Sequence, residues 1–134
     1  MIKTLHFDYD PDKRASEILE LEERIGALEG VTYTWVDEIK GAFSENLDYL
    51  EGILESYDIL LIHPGVKSQH EVIRRFSQKF PDLRIALVAL MPEAYKDPYQ
   101  NQFPNVKLLA YESIDGIVNY VRKVRDDISG ANCI

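Results

Sequence analysis

The stretch YDILLI, residues 57–62, decides the fold class. Its Ile-Leu-Leu-Ile run is apolar without alternation. A short strand that is apolar on both faces is typical of the centre of a parallel sheet covered by helices on both sides. The stretch LRIALVAL, residues 83–90, has the same character. Two such strands in one chain predict an α/β fold with a buried parallel sheet.

Strands and helices alternate along the rest of the chain. Further strands are predicted over 2–7, 31–36 and 106–110 from their short β-branched or apolar runs. Apolar residues at helical spacing predict helices over 13–29, from the cap Ser44 to Leu54, from the capping box at 68–71 to Pro81, and over 113–128. Right-handed crossovers then give a doubly wound, five-stranded sheet in the order 2-1-3-4-5. We expect one domain over residues 1–128 and a flexible tail over 129–134.

Composition and charge limit the classes of function. The chain has 134 residues and a formal net charge of −8, which disfavours direct binding of a nucleic-acid backbone. No apolar run approaches the roughly 18 to 20 residues that a bilayer span needs, so no membrane contact is expected. The lone Cys133 cannot form an internal disulfide. We therefore expect a cytoplasmic protein.

The candidate site follows from the topology. Ligands of open parallel sheets bind beyond the carboxyl ends of the strands. The residues that the sequence places there, at the ends of the first, third, fourth and fifth strands, are Asp8 and Tyr9, His63 and Gly65, Ala89, and Tyr111. The three histidines show no close metal-ligand spacing, and no glycine-rich phosphate loop is present. We therefore expect neither a metal nor a cofactor.

Four segments resemble the receiver domain of response regulators. KTLHFDYDP, residues 3–11, resembles the receiver opening, in which a strand runs into acidic residues and a proline. DILLIH, residues 58–63, resembles the strand that delivers the phosphoacceptor aspartate, with His63 in its place. Residues 83–90 and 108–111 are similar to the strands that end in the receiver's hydroxyl residue and lysine. The resemblance implies a flavodoxin-like, CheY-like fold over essentially the whole chain.

In the same alignment, other residues replace most of those that receivers use for phosphorylation. That chemistry uses paired carboxylates to hold Mg²⁺, an acceptor aspartate, and a hydroxyl and a lysine that bind the phosphoryl oxygens. Asp8 matches the first carboxylate, but Tyr9 replaces the second and His63 replaces the acceptor. Ala89 replaces the hydroxyl residue, and Ala110 or Tyr111 replaces the lysine. The resemblance therefore implies a degenerate phosphoacceptor pocket that is not competent for standard aspartyl phosphorylation.

The leading hypothesis is a non-catalytic pseudo-receiver that works in signal transduction through protein–protein contacts. A protein partner is expected, and a homodimer stays open. Two alternatives remain: a phosphotransfer protein that uses His63, and a flavodoxin-like domain that binds a small ligand at the same edge of the sheet.

Three further features have competing interpretations. Tyr95, Tyr99 and Phe103 are spaced as one helical stripe interrupted by Pro98, which fits either a partner face or a cover for the sheet. In the acidic turn of Asp8, Asp10 and Asp12, the last two are expected to cap the first helix, and a cation held with help from the Gly65 carbonyl is the alternative. The basic cluster Arg122, Lys123 and Arg125 is typical of a solvated helix end, and an acidic partner is the alternative. His6, within the first strand, is expected to be a buried histidine with its hydrogen bonds satisfied.

Overall fold

The computed structural model describes residues 1–8, 14–36, 47–63, 69–89, 103 and 106–132. Within these residues the strands are β1 (Ile2–Asp8), β2 (Val31–Val36), β3 (Ile59–His63), β4 (Arg84–Ala89) and β5 (Lys107–Ala110). All neighbouring pairs are parallel, and the sheet order is β2-β1-β3-β4-β5. The predicted α/β, flavodoxin-like fold with order 2-1-3-4-5 is therefore confirmed.

Helices cover both faces of this sheet. The helices in the described part of the chain are α1 (Ala15–Gly26), α2 (Leu47–Leu54), α3 (Gln69–Lys79) and α4 (Ile114–Asn132). Apolar residues of α1 and α4 pack with Ile59 and Leu61 of β3 in one buried cluster. Residues of α2 and α3 pack with Leu60 and Ile62 in another cluster. All five residues of β3 are buried, as its non-alternating apolar run predicts.

Two predicted boundaries differ from the structure. Helix α1 begins at Ala15, and its N-cap is Arg14, which makes no side-chain capping hydrogen bond. Asp10 and Asp12, the predicted capping residues, lie outside the described residues. The Arg14 side chain is buried beside Asp8. Helix α4 continues past the predicted end at Ile128 to Asn132, so residues 129–132 are helical, and only 133–134 remain outside the described residues. Ile128 packs against the core and supports this extension.

Neither α4 nor any other helix in the described ranges combines the length and the apolar character that crossing a membrane requires.

Candidate functional site

A polar stripe on β1 leads to the carboxyl edge of the sheet. Thr4, His6 and Asp8 alternate with Leu5 and Phe7, and all five residues are buried. Because side chains alternate across a strand, the three polar residues share one face. That face carries α1 and α4, since Ile2 of the same alternation belongs to their cluster. The stripe ends at Asp8, which is only 1% exposed.

Hydrogen bonds join this stripe to two tyrosines from distant parts of the chain. The Tyr111 hydroxyl donates to Oδ2 of Asp8 at 2.8 Å. The same hydroxyl lies 2.7 Å from Nε2 of His6. The Tyr33 hydroxyl, from β2, hydrogen-bonds to Nδ1 of His6. The result is a continuous chain of polar groups from the second strand to the end of the first.

The direction of every proton in this chain follows from donor counting. A phenol has one hydrogen, so Tyr111, which donates to Asp8, must accept from Nε2–H of His6. Burial, with a smaller contribution from the nearby His63, lowers the pKa of His6 to about 3, so the imidazole is neutral. Its Nδ1 is then an acceptor, and Tyr33 donates to it. The chain runs from Tyr33 through His6 and Tyr111 to Asp8, with each group donating to the next.

Burial also keeps both phenols protonated. It raises the pKa of Tyr33 and of Tyr111 above the usual value, because a phenolate is poorly solvated inside the protein. The negative charge of Asp8 raises the pKa of both phenols further. Both hydroxyls therefore remain hydrogen-bond donors throughout the neutral range.

Arg14 brings a buried positive charge to the same carboxylate. Its Nε lies 3.7 Å from Oδ2 of Asp8, and its side chain is 6% exposed. The guanidinium also lies over the ring of Tyr111, 5.6 Å from the centroid. Nε of Arg14 donates no hydrogen bond within the described residues, so its contact with Asp8 is an ion pair without a hydrogen bond through Nε. Asp8 is thus neutralised by a cation that belongs to the chain itself.

His63 ends β3 beside Asp8. The two residues are register partners of the neighbouring strands β3 and β1. His63 is 5% exposed, and its ring centroid lies 6.0 Å from that of Tyr111. Burial lowers the pKa of His63, Asp8 opposes this lowering, and Arg14 adds to it. The imidazole is therefore held mainly in its neutral form, inside the protein.

The structure brings together the predicted site residues that it describes. Asp8, His63 and Tyr111 are mutual neighbours. Ala89 is buried at the end of β4, where its carbonyl accepts the backbone N–H of Tyr111 at 3.0 Å. Tyr9 and Gly65 lie outside the described residues.

The aromatic segment is described only at its end. Phe103 is half-buried and packs against the cluster formed with α2 and α3, and it belongs to no helix. Tyr95 and Tyr99 lie outside the described residues. The proposed partner face therefore stays a prediction.

Arg14 and Tyr33 belong to the site although no sequence pattern predicted them, and His6 was expected to be a structural histidine only. His6 is buried with both ring nitrogens hydrogen-bonded, as expected. The alternation Thr4, His6, Asp8 was the available signal, because it puts three polar side chains on one face of a buried strand. Arg14 and Tyr33 had no comparable signal, since each reaches the stripe through tertiary packing.

In the described part of the chain, the donor set around Asp8 does not extend to a metal cluster. Among the residues that the structure describes, no group of three or more histidine, cysteine, aspartate or glutamate side chains is placed to hold a metal ion. The partners of Asp8 include a phenol and a guanidinium.

We expect Tyr33→Phe to lower the free energy of unfolding by about 1 kcal/mol, the usual net value of one hydrogen bond. The change removes only the donor to Nδ1 of His6. Tyr33 is half-buried, so water can replace part of the lost contact. Urea unfolding followed by far-UV circular dichroism measures the difference. Unchanged stability would show that this end of the hydrogen-bond chain contributes nothing.

Comparisons with known proteins support the fold. No protein-family model matches the chain, and no curated protein matches it. A crystal structure described as a "putative lipoprotein" fragment from Peptoclostridium difficile 630 is similar, with a TM-score of 0.65 and 14% sequence identity. The match covers 93% of this chain and 99% of the other. At that identity the similarity concerns the fold alone.

Proposed function

We propose that this chain is a cytoplasmic pseudo-receiver, a regulatory domain that works in signal transduction through protein–protein contacts and not through aspartyl phosphorylation. The observation that carries the proposal is the buried Asp8, which is already bound by Tyr111 and Arg14. In the receiver resemblance this carboxylate would help to hold Mg²⁺. Here it is 1% exposed and accepts from the phenol of Tyr111, one of the two residues that take the place of the lysine in the resemblance.

Electrostatics support this proposal. A divalent cation at Asp8 would have to displace the Tyr111 hydrogen bond and approach the positive charge of Arg14. Two positive charges near one buried carboxylate repel each other strongly, because the protein interior screens charges poorly. An intramolecular guanidinium thus takes the electrostatic role that the metal has in a phosphorylatable receiver.

Burial also weighs against phosphotransfer through His63. A phosphodonor must approach a ring nitrogen in line with its leaving group, and His63 is 5% exposed. Arg14 could stabilise a phosphoryl group, but its charge already faces Asp8. The fold can still serve as a docking scaffold, since protein–protein recognition requires a surface and no reaction at the strand ends.

The test is intact-mass spectrometry after incubation with Mg²⁺ and either acetyl phosphate or phosphoramidate. Wild type, His63→Ala and His63→Asp are compared. We expect no phosphoryl adduct in any of them. His63→Asp is the stringent variant, because it restores the acceptor carboxylate while Tyr111 and Arg14 still bind Asp8.

Each adduct has a defined meaning. An adduct on wild type that is lost in His63→Ala identifies a phosphohistidine protein and overturns the proposal. An adduct that forms only in His63→Asp shows that the Mg²⁺ site is intact, which contradicts the argument from Asp8. Absence of any protein partner, together with turnover of a small molecule, would contradict the part of the proposal that concerns protein contacts.

A further inference from the structure

A groove of about 430 Å³ lies at the amino-terminal edge of the sheet, opposite the edge that carries Asp8. Arg84 and Lys107, the first residues of β4 and β5, line it. Lys107 is the register partner of Ala86, so Arg84, two residues before Ala86, projects from the same face of the sheet. That is the face covered by α4, because Ala86 packs in the cluster of α1 and α4.

The opposite wall of the groove is one face of α4. Its lining residues there are Tyr120, Lys123, Val124 and Asp127. This spacing of i, i+3, i+4 and i+7 places all four on one side of a helix. The groove is therefore formed by two strand starts and one helical stripe.

The groove concentrates positive charge in an acidic protein. Three cations line it, Arg84, Lys107 and Lys123, against the carboxylate of Asp127, which gives a formal charge of 3 − 1 = +2. The whole chain carries −8. Within the described residues none of the three cations forms an ion pair, and Arg84 makes only a 3.4 Å contact with the carbonyl of Asp82. All three are exposed and available to a ligand.

The other basic residues of α4 have different contacts. Arg122 donates to the side chain of Asn119 at 3.0 Å. Arg125 pairs with Asp126 and donates to the carbonyl of Glu29 at 3.2 Å. Of the basic cluster that the sequence shows at 122–125, only Lys123 therefore lines the groove.

The groove also has apolar walls and a hydroxyl. Leu83 and the buried Val124 contribute hydrocarbon surface. Burial raises the pKa of Tyr120 to about 12, and Arg84 opposes this rise. The Tyr120 hydroxyl therefore stays protonated at neutral pH and is able to donate a hydrogen bond to an anion.

We infer that this groove binds a small organic phosphate monoester. Such a group carries about −1.5 to −2 charges at pH 7, which matches the +2 of the groove. Arginine and lysine bind phosphate oxygens through charge-assisted hydrogen bonds. The organic part would contact Leu83 and Val124, and the volume lies within the usual range of about 300–1,000 Å³ for small-molecule sites. The inference does not rest on the function proposed for the opposite edge.

The test is titration of the full chain with phenyl phosphate at low ionic strength, followed by ¹H–¹⁵N NMR shifts and isothermal calorimetry. Phenol and inorganic phosphate are titrated in parallel, since each lacks one half of the ligand. Lys123→Gln is the test variant, and Arg122→Gln is its control, because it removes the same charge from the adjacent residue outside the groove. Both changes are at exposed positions, so both variants are expected to fold.

We expect phenyl phosphate to bind more tightly than phenol or inorganic phosphate, with shifts at β4, β5 and α4. Lys123→Gln should weaken binding about tenfold, which corresponds to the loss of one charge-assisted hydrogen bond. Arg122→Gln should weaken it less than twofold, an effect of long-range charge alone.

Several results would overturn the inference. They are no binding at millimolar phenyl phosphate, equal losses in the two variants, equal affinity for inorganic phosphate, and shifts that map to another part of the chain. Binding of an Asp/Glu-rich peptide without binding of phenyl phosphate would also overturn it, and would identify the groove as a protein-docking site.

Discussion

Lowering the pH from 7 to 4.5 should reduce the free energy of unfolding by about 2.5 kcal/mol through His6 alone. In the folded chain burial lowers the pKa of His6 to about 3. In the unfolded chain the imidazole titrates near its ordinary value of about 6.5. Between these two values the unfolded state binds a proton that the folded state rejects, so stability falls as the pH falls.

The contribution of His6 is complete above pH 6.5, where both states are neutral, and is lost progressively towards pH 3. The main cause is burial, which disfavours the charged imidazolium, and the nearby His63 adds to it. His63, whose pKa is also lowered, contributes in the same direction.

The variant that isolates His6 is His6→Gln, because an amide can donate to Tyr111 and accept from Tyr33 without titrating. Urea unfolding is measured at several pH values between 7 and 4.5 for both proteins. The wild-type stability should fall by about 2.5 kcal/mol more than that of the variant over this range. Parallel curves would contradict a depressed pKa at His6.

A second measurement does not depend on the variant. The imidazole resonances of His6 in the folded wild type should not titrate between pH 7 and 4.5. A transition near pH 6 in the folded protein would refute the neutral, hydrogen-bonded state of His6.

Tyr111→Phe should cost about 3 kcal/mol of folding free energy, because two buried groups lose a partner at once. Nε2–H of His6 loses its acceptor, and the carboxylate of Asp8 loses one hydrogen-bond donor. Each unsatisfied buried group costs about 1–3 kcal/mol, and the cost is larger for a charged one. The loss should therefore exceed that of Tyr33→Phe, which removes one contact at a half-buried site.

Tyr57→Phe is the matched control for Tyr111→Phe. Tyr57 is half-buried beneath Lys3, and its hydroxyl makes no hydrogen bond within the described residues. Its loss should change stability by less than about 0.5 kcal/mol. Urea unfolding of the three tyrosine variants should give the order Tyr111, Tyr33, Tyr57 from the largest to the smallest effect. Equal effects at Tyr111 and Tyr57 would show that the buried chain of hydrogen bonds has no net energetic role.

The local sequence predicted the strands and helices well and the residues at which they begin and end poorly. The apolar runs of β3 and β4 indicated a buried parallel sheet because both faces of a central strand must be apolar. The first helix was assigned an acidic cap, yet its N-cap is Arg14. The backbone at a helix start competes with other partners for the side chain of the N-cap residue. The Arg14 side chain lies against the buried carboxylate of Asp8 and does not cap the helix.

The candidate site was predicted in part. The positions of Asp8, His63, Ala89 and Tyr111 at the strand ends follow from topology, because parallel strands bring all their carboxyl ends to one edge. The sequence could not show that Tyr111 turns inward onto Asp8, or that Arg14 supplies a charge to it. Those contacts depend on which side chains fit beneath α1 and α4.

The sequence by itself determined the five-stranded, doubly wound fold of this protein. Hydrophobic periodicity is a local property, and each strand and helix carries its own pattern. Only the tertiary structure decided the chemistry of the strand ends. Tyr111 and Asp8 are separated by 103 positions in the chain, and their hydrogen bond exists because the sheet order and the packing of α4 bring them together. No local pattern encodes such a contact, since its free energy depends on burial that arises only when the whole sheet is assembled.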